Sequence, residues 1–163
     1  MRHVLSILVS NNAGVLGRVV GLFSRRGYNI DSLSVGTSED VRFSRITVSV
    51  QGDDQVVDQI QKQVAKLIDV QDVVELKPDS AIYRELCLVK VDANASTRTD
   101  IFNVATVFRA NIIDVSVRTL TMELTGDMDK INAFIEIMKP YGVMEIVRTG
   151  LTATARGTEK GRS

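Results

Sequence analysis

Asn11 to Val35 reads N-N-A-G-V-L-G-R-V-V-G-L-F-S-R-R-G-Y-N-I-D-S-L-S-V, joining a glycine-bearing turn, a helix and the start of a strand. Leu16, Val19, Val20 and Phe23 recur at i, i+3, i+4 and i+7, one apolar face of a helix. Gly27 stands where a helix C-terminus favours a left-handed residue. The spacing predicts a helix from about Val15 to about Arg26. Ahead of it, Asn11 or Asn12 is the expected N-cap, and Gly14 removes the side chain that would keep a ligand from the first backbone N–H groups. Those unpaired donors, with the positive end of the helix dipole behind them, suit a carboxylate or a phosphate. The same turn serves equally as a plain structural start to a helix. Its glycines spell neither G-x-x-x-x-G-K-[ST] nor G-x-G-x-x-G. Gly17 and Gly21 lie one turn apart inside the helix, each unfavourable by roughly 1 kcal/mol against Ala, which close approach of another backbone would offset.

Working outward, residues 3–10, H-V-L-S-I-L-V-S, are aliphatic and β-branched and too short for a helix, so they read as a buried strand. Asn29 to Val35 and Phe43 to Gln51 flank the polar T-S-E-D and read as an antiparallel hairpin. Ile46, Val48 and Val50 alternate with Arg45, Thr47 and Ser49, the pattern of a strand buried on one face. Gly52-Asp53 opens a second helix striped by Val57, Ile60, Val64, Leu67 and Ile68, and Val70 to Leu76 closes the unit as a strand. After Lys77-Pro78-Asp79-Ser80 the pattern repeats. Leu86 to Val91 is a strand; Ile101, Val104, Ala105 and Phe108 restate the helical spacing; Ile112-Ile113-Asp114 echoes Asn29-Ile30-Asp31. Leu120, Met122 and Leu124 alternate with polar residues, Gly126-Asp127 opens a helix striped by Ile131, Phe134, Ile135 and Met138, and Val143 to Arg148 is the last strand. The chain is two successive β-α-β-β-α-β units. Each is small enough to leave a sheet face and its edges poorly protected, so association is expected. The small, polar tail after Gly150 is expected to fray.

The 163 residues allow one domain or two small ones, and the 44% apolar share is that of an ordinary globular chain. Twenty basic residues balance 20 acidic ones, so no overall field draws the chain to nucleic acid or to an anionic membrane. Cys87, in L-C-L-V-K-V, reads as a small buried side chain of a reduced protein, which argues for a cytoplasmic setting. No apolar run approaches the roughly 18 residues of a membrane span, and M-R-H-V-L-S-I lacks a signal-peptide h-region, so the chain reads as complete and soluble.

Catalytic patterns are absent: no H-E-x-x-H, C-x-x-C or G-x-S-x-G, and His3 is the single histidine, reading as an ordinary surface or strand residue. Asp53-Asp54 and Asp127 with Asp129 sit at helix starts, where capping accounts for them. RNA-recognition modules share the β-α-β-β-α-β order but need stacking aromatics on the central strands; here those strands carry L-V-S and I-T-V-S. A ligand-binding regulatory module or a structural partner subunit remains.

The run N-x-x-G-V-L-x-R-V-x-G-L-F-x-x-R-G-Y-N-I-x-S-L resembles the small regulatory subunit of acetohydroxyacid synthase (acetolactate synthase), whose first half is an ACT domain. Q-x-x-K-L-I-D-V-x-x-V, R-E-L-x-L-x-K-V, I-I-D-V-S, L-T-G-D-x-D-K-I-x-A-F and P-Y-G-x-x-E-I-x-R-T-G extend the likeness over essentially the whole chain. The resemblance implies an α+β fold of two ferredoxin-like βαββαβ domains: an ACT domain over 1–77, a linker over 78–84, and a second domain over 85–163 with a flexible tail after about 150.

It further implies a non-catalytic subunit that binds and activates the large catalytic subunit and confers feedback inhibition by valine or another branched-chain amino acid. Thiamine diphosphate, Mg and FAD are expected on that large subunit and no cofactor or metal on this chain. In the family, ACT domains pair as homodimers with the effector at their interface. Carried over by motif, the loop of Asn11, Ala13, Gly14, Val15 and Leu16 would hold the effector carboxylate on backbone N–H groups, the Asn11 side chain assisting. Asn29 and Ile30 of the neighbouring protomer would close the pocket, Asn29 accepting from the ammonium. Two alternatives stand beside this: an ACT-type sensor acting on a different partner, and an activating subunit without an effector site.

Overall fold

The computed structural model describes residues 1–157. They form two compact units, one of residues 1–83 with 151–157 and one of 84–150.

In the first unit, β1 (Arg2–Ser10), α1 (Val15–Arg25), β2 (Ile30–Thr37), β3 (Phe43–Gln51), α2 (Asp54–Ala65) and β4 (Val70–Glu75) follow the expected order. The sheet runs β2-β3-β1-β4 with every neighbour antiparallel. Leu5, Ile7 and Val9 of β1 and Ile46, Val48 and Val50 of β3 alternate onto the helix side, where they meet Val15, Val19, Leu22 and Phe23 of α1 and Val57, Ile60 and Val64 of α2. Asp53 caps α2, its carboxylate accepting from Val56 N–H at 2.8 Å.

The second unit repeats this with β5 (Ala81–Asp92), α3 (Arg98–Phe108), β6 (Asn111–Val115), β7 (Thr119–Gly126), α4 (Met128–Met138) and β8 (Val143–Arg148), in sheet order β6-β7-β5-β8. Asp127 caps α4 as Asp53 caps α2, accepting from Lys130 N–H at 2.9 Å. Buried Glu85 on β5 accepts from Arg148 Nη2 at 2.9 Å, and Arg148 Nη1 reaches Asn132 Oδ1 on α4 at 3.0 Å, so one guanidinium ties three elements and leaves no buried charge unpaired.

The repeat extends to irregularities. A register shift falls between Leu8 and Val9 on β1 and between Lys90 and Val91 on β5, and another between Ile30 and Ser32 on β2 and between Ile112 and Asp114 on β6. Ile112 therefore occupies the place of Ile30, and Asn111 that of Asn29, one residue from the alignment the I-I-D and N-I-D strings invite.

Several expectations are corrected. The tail does not fray at Gly150: Thr152–Ala155 form a strand, β9, and Leu151 is only 2% exposed. Leu151 N–H donates to Ser32 Oγ at 3.3 Å, and Ser34 Oγ donates to Leu151 O at 3.0 Å. Leu33 between those serines packs on the core, so Ser32 and Ser34 point to the other face of the sheet, and residues 151–156 cover that face. Arg156 N–H anchors the strap on Ser80 O at 2.8 Å. Unpaired strand hydroxyls and an apolar leucine outweigh a tail composition that looks disordered. The remainder of the expected tail, 158–163, lies outside the described residues. The expected linker, 78–84, is a 3-10 turn at Pro78–Ser80 followed directly by β5.

Helix boundaries shift too. Because α2 stops at Ala65, Ile68 is not part of its stripe and stands 92% exposed. Of the two readings of His3, surface or strand residue, the strand one holds: it lies buried on β1, its Nδ1 2.7 Å from Glu75 Oε1. Cys87 is buried as expected, and burial pushes its thiol pKa up.

Candidate functional site

The turn that opens α1 is built by Gly14. It holds the N-cap position at φ +83°, a left-handed conformation favoured by glycine, and no side chain caps the helix. Neither Asn11 nor Asn12 therefore acts as the expected cap. Asn11 is turned the other way, its N–H donating to Arg42 O at 2.8 Å and its Nδ2 to Val41 O at 2.9 Å across the β2–β3 turn. Val15 N–H makes a long bond to Asn12 O at 3.4 Å. Among the described residues the N–H groups of Ala13, Gly14, Leu16 and Gly17 have no acceptor, and all four residues are exposed. An open set of donors at the positive end of a helix is what a carboxylate needs.

A cation adjoins this turn. Arg18, one helical turn on, leans back toward the N-terminus as helical side chains do, and its Nη1 lies 3.2 Å from the place a Cβ on Gly14 would take. Its Nε donates to Asp69 Oδ2 at 2.7 Å, which raises the Arg18 pKa above its ordinary value. Asp69 also accepts Ser10 N–H at 2.8 Å through its backbone, so one residue fixes both the end of β1 and the guanidinium. Sequence reasoning passed over Arg18; its i+4 offset from a glycine at the helix start was the available signal.

The buried face of α1 is one residue out of phase with the sequence reading. Val15, Val19, Leu22 and Phe23 enter the core, whereas Leu16 is 41% exposed. Leu16, Gly17 and half-buried Val20 and Gly21 thus face away from this unit's core. Among the described residues, nothing beyond its own helix comes within 4 Å of a Cβ built on Gly17. No other backbone among the described residues makes the close approach the glycines invite.

The remaining expected site residues lie elsewhere. Ile30 pairs with Val50, and Val50 with His3, whereas Asn11 follows Ser10 at the far end of β1. Seven strand residues separate the two levels, roughly 23 Å at about 3.3 Å each. The structure brings Asn11, Ala13, Gly14, Val15 and Leu16 together and sets exposed Asn29 and half-buried Ile30 at the opposite end of the same sheet.

The corresponding turn of the second unit is built differently. Asn94 Oδ1 accepts from Ser96 N–H at 2.9 Å and Thr97 N–H at 3.1 Å, a local turn in the segment just before α3. Arg98 there turns away to donate to Ser116 O at 2.7 Å and Val117 O at 3.0 Å. Asn111, in the place of Asn29, reaches Glu123 Oε1 at 3.5 Å. The two turns differ in what stands before the helix: Gly14 leaves the Ala13 and Gly14 N–H groups without an acceptor in the first, whereas Asn94 Oδ1 takes the Ser96 and Thr97 N–H groups in the second.

Among the described residues no three His, Cys, Asp or Glu side chains are grouped to hold a metal ion, and no helix is long and apolar enough to cross a membrane.

Two family models match the chain. Residues 5–72 match the family described as AHAS small subunit-like ACT domain, and residues 84–157 match small subunit of acetolactate synthase. The chain is 49% identical over 160 residues to a probable acetolactate synthase small subunit of Archaeoglobus fulgidus, covering 98% of this chain and 100% of that one. It is 46% identical over 162 residues to the acetolactate synthase small subunit of Bacillus subtilis, covering 98% and 94%. The crystal structure of the acetolactate synthase small subunit from Thermotoga maritima superposes with a TM-score of 0.91 at 40% identity, covering 98% of this chain and 99% of that one.

Proposed function

Since the chain belongs to the family of acetolactate synthase small subunits, we propose that it is a regulatory subunit without catalysis of its own, which activates the large subunit and lets valine inhibit it. The observation that carries this reading is the open turn at Gly14, with free N–H groups, no side-chain cap and Arg18 alongside. A carboxylate fits this turn.

The 23 Å or so between the two halves of the site, at about 3.3 Å per residue, supports pairing of two chains. β2 is an edge strand of its sheet. A two-fold axis beside it runs the neighbour antiparallel, so the neighbour's Asn29 and Ile30 come level with Asn11–Leu16 here. Asn29 would accept from the effector ammonium, and Leu16 and Val20 would offer apolar contact to a branched side chain. Thiamine diphosphate, Mg and FAD belong, in this reading, to the large subunit in the cytoplasm, and no residue of this chain touches pyruvate.

The effect on activity is one of linkage. Valine that prefers the inhibited arrangement shifts the balance by its difference in affinity, typically 1–3 kcal/mol. Calorimetric titration of the purified chain with valine, leucine and isoleucine, repeated with the reconstituted enzyme, tests it. Saturable valine binding is expected. No binding to either preparation would instead make this an activating subunit without an effector site.

A further inference from the structure

Arg18 is held from one side only. Its Nε donates to Asp69 Oδ2 at 2.7 Å, and among the described residues Nη1 and Nη2 have no acceptor. Asp69 is the fixed half of the pair: its side chain is 16% exposed against 51% for Arg18, and its backbone O takes Ser10 N–H at the end of β1. Nη1 stands 3.2 Å from the place of a Cβ on Gly14, beside the uncovered N–H groups of Ala13, Gly14 and Leu16. An ion pair this exposed adds little to stability. It does fix a long side chain in one place before a ligand arrives, so that binding no longer has to order it.

The fold does not require the pair. In the second unit Asp92 N–H donates to Gly142 O at 2.9 Å at the end of β5, as Ser10 N–H does to Asp69 O at the end of β1, so a residue without a side chain stands where Asp69 does. Only the unit with the glycine at its helix start has a carboxylate in that place to hold an arginine beside it.

Resting on the effector reading above, we propose that Arg18 is a second anchor for the effector carboxylate and that Asp69 is the positioning residue that holds it beside the turn. One carboxylate oxygen would lie on the backbone N–H groups and the other against Nη1. A guanidinium can serve Asp69 and the anion at once through its fixed fork, whereas a lysine ammonium is a single point charge.

The test is calorimetric titration with valine of the complex reconstituted with its large subunit. Arg18→Lys keeps a cation for Asp69 but removes the fork, so affinity should fall about tenfold or more, as loss of a charge-assisted hydrogen bond does. A side chain that merely braced the turn would be rescued by lysine. Asp69→Ala, which keeps the backbone bond to Ser10, should weaken valine binding about threefold, because the arginine must then be ordered on binding. Coulombic attraction alone gives the opposite sign, since deleting a carboxylate near an anion site tightens anion binding. Wild-type affinity in Arg18→Lys would overturn the anchor and this inference alone, and unchanged or tighter binding in Asp69→Ala would overturn the positioning role. Absence of valine binding to the wild-type complex would overturn the effector reading and this inference with it.

Discussion

Arg18 and Gly14 are interlocked: the guanidinium, hydrogen-bonded to Asp69, rests 3.2 Å from where the first side-chain carbon of residue 14 would stand. Glycine there serves three needs at once. It adopts φ +83°, leaves room for Arg18 and leaves the N–H groups uncovered.

Gly14→Asp is therefore expected to remove feedback. The new carboxylate would sit among the free donors, pair with Arg18 and repel an incoming anion. Valine inhibition of the reconstituted enzyme measures it; inhibition equal to wild type would count against the site.

Asn29→Ala separates the two halves of the proposed pocket. Asn29 is exposed and lies at the far end of the sheet from the loop, so its loss should leave the fold and activation intact. Valine affinity should fall by about 1 kcal/mol, the usual worth of one hydrogen bond. Calorimetry on the variant decides; loss of activation with affinity intact would move Asn29 to the large-subunit contact.

Leu151→Ala tests the returning strap. The side chain is buried on the first unit, and truncating a buried leucine costs about 2 kcal/mol or more. Urea unfolding should show that loss, with faster exchange at the Arg156 amide. A neutral change would mean that the strap contributes nothing to stability.

Arg109→Gly should stabilise. Arg109 ends α3 at φ 56°, a left-handed position that Gly27 fills at the end of α1 with φ 71°. In both, the next amide closes the helix end, Tyr28 N–H on Phe23 O and Ala110 N–H on Ala105 O. Glycine relieves the steric penalty, so unfolding should become about 1 kcal/mol less favourable. Thermal denaturation reads it directly.

Asp40 gives a pH prediction. The side-chain hydrogen bond from Arg42, then the Arg42 backbone N–H, lower its pKa to about 2. A depressed carboxylate pKa means that the clasp is fully present above the ordinary carboxylate range and is lost as pH falls through about 2. Carboxyl-carbon NMR should find that midpoint, and Arg42→Ala should return it toward about 3.9.

Periodicity alone determined the element types, their order and the doubling of the β-α-β-β-α-β unit, because alternation marks β3 as a strand and the stripe marks α4 as a helix; it misjudged the second face of β3, where Thr47 and Ser49, read as the open side, are 3% and 0% exposed. Carboxylates at positions 53 and 127 were legible as caps for the same local reason: the bond spans three residues. Tertiary structure decided the rest. In α1 the apolar residues Val15, Leu16, Val19, Val20, Leu22 and Phe23 fill more than one face, and only packing against the sheet chose Val15 and Leu22 for the core over Leu16. Asn11 had two polar choices, the helix start and a carbonyl thirty residues away, and took the distant one. Ser32 and Ser34 gave no sign that residue 151 would lie across them. Local signals record bonds that close within one turn of chain; phase, partner choice and the course of the tail were set by residues that sequence distance hides.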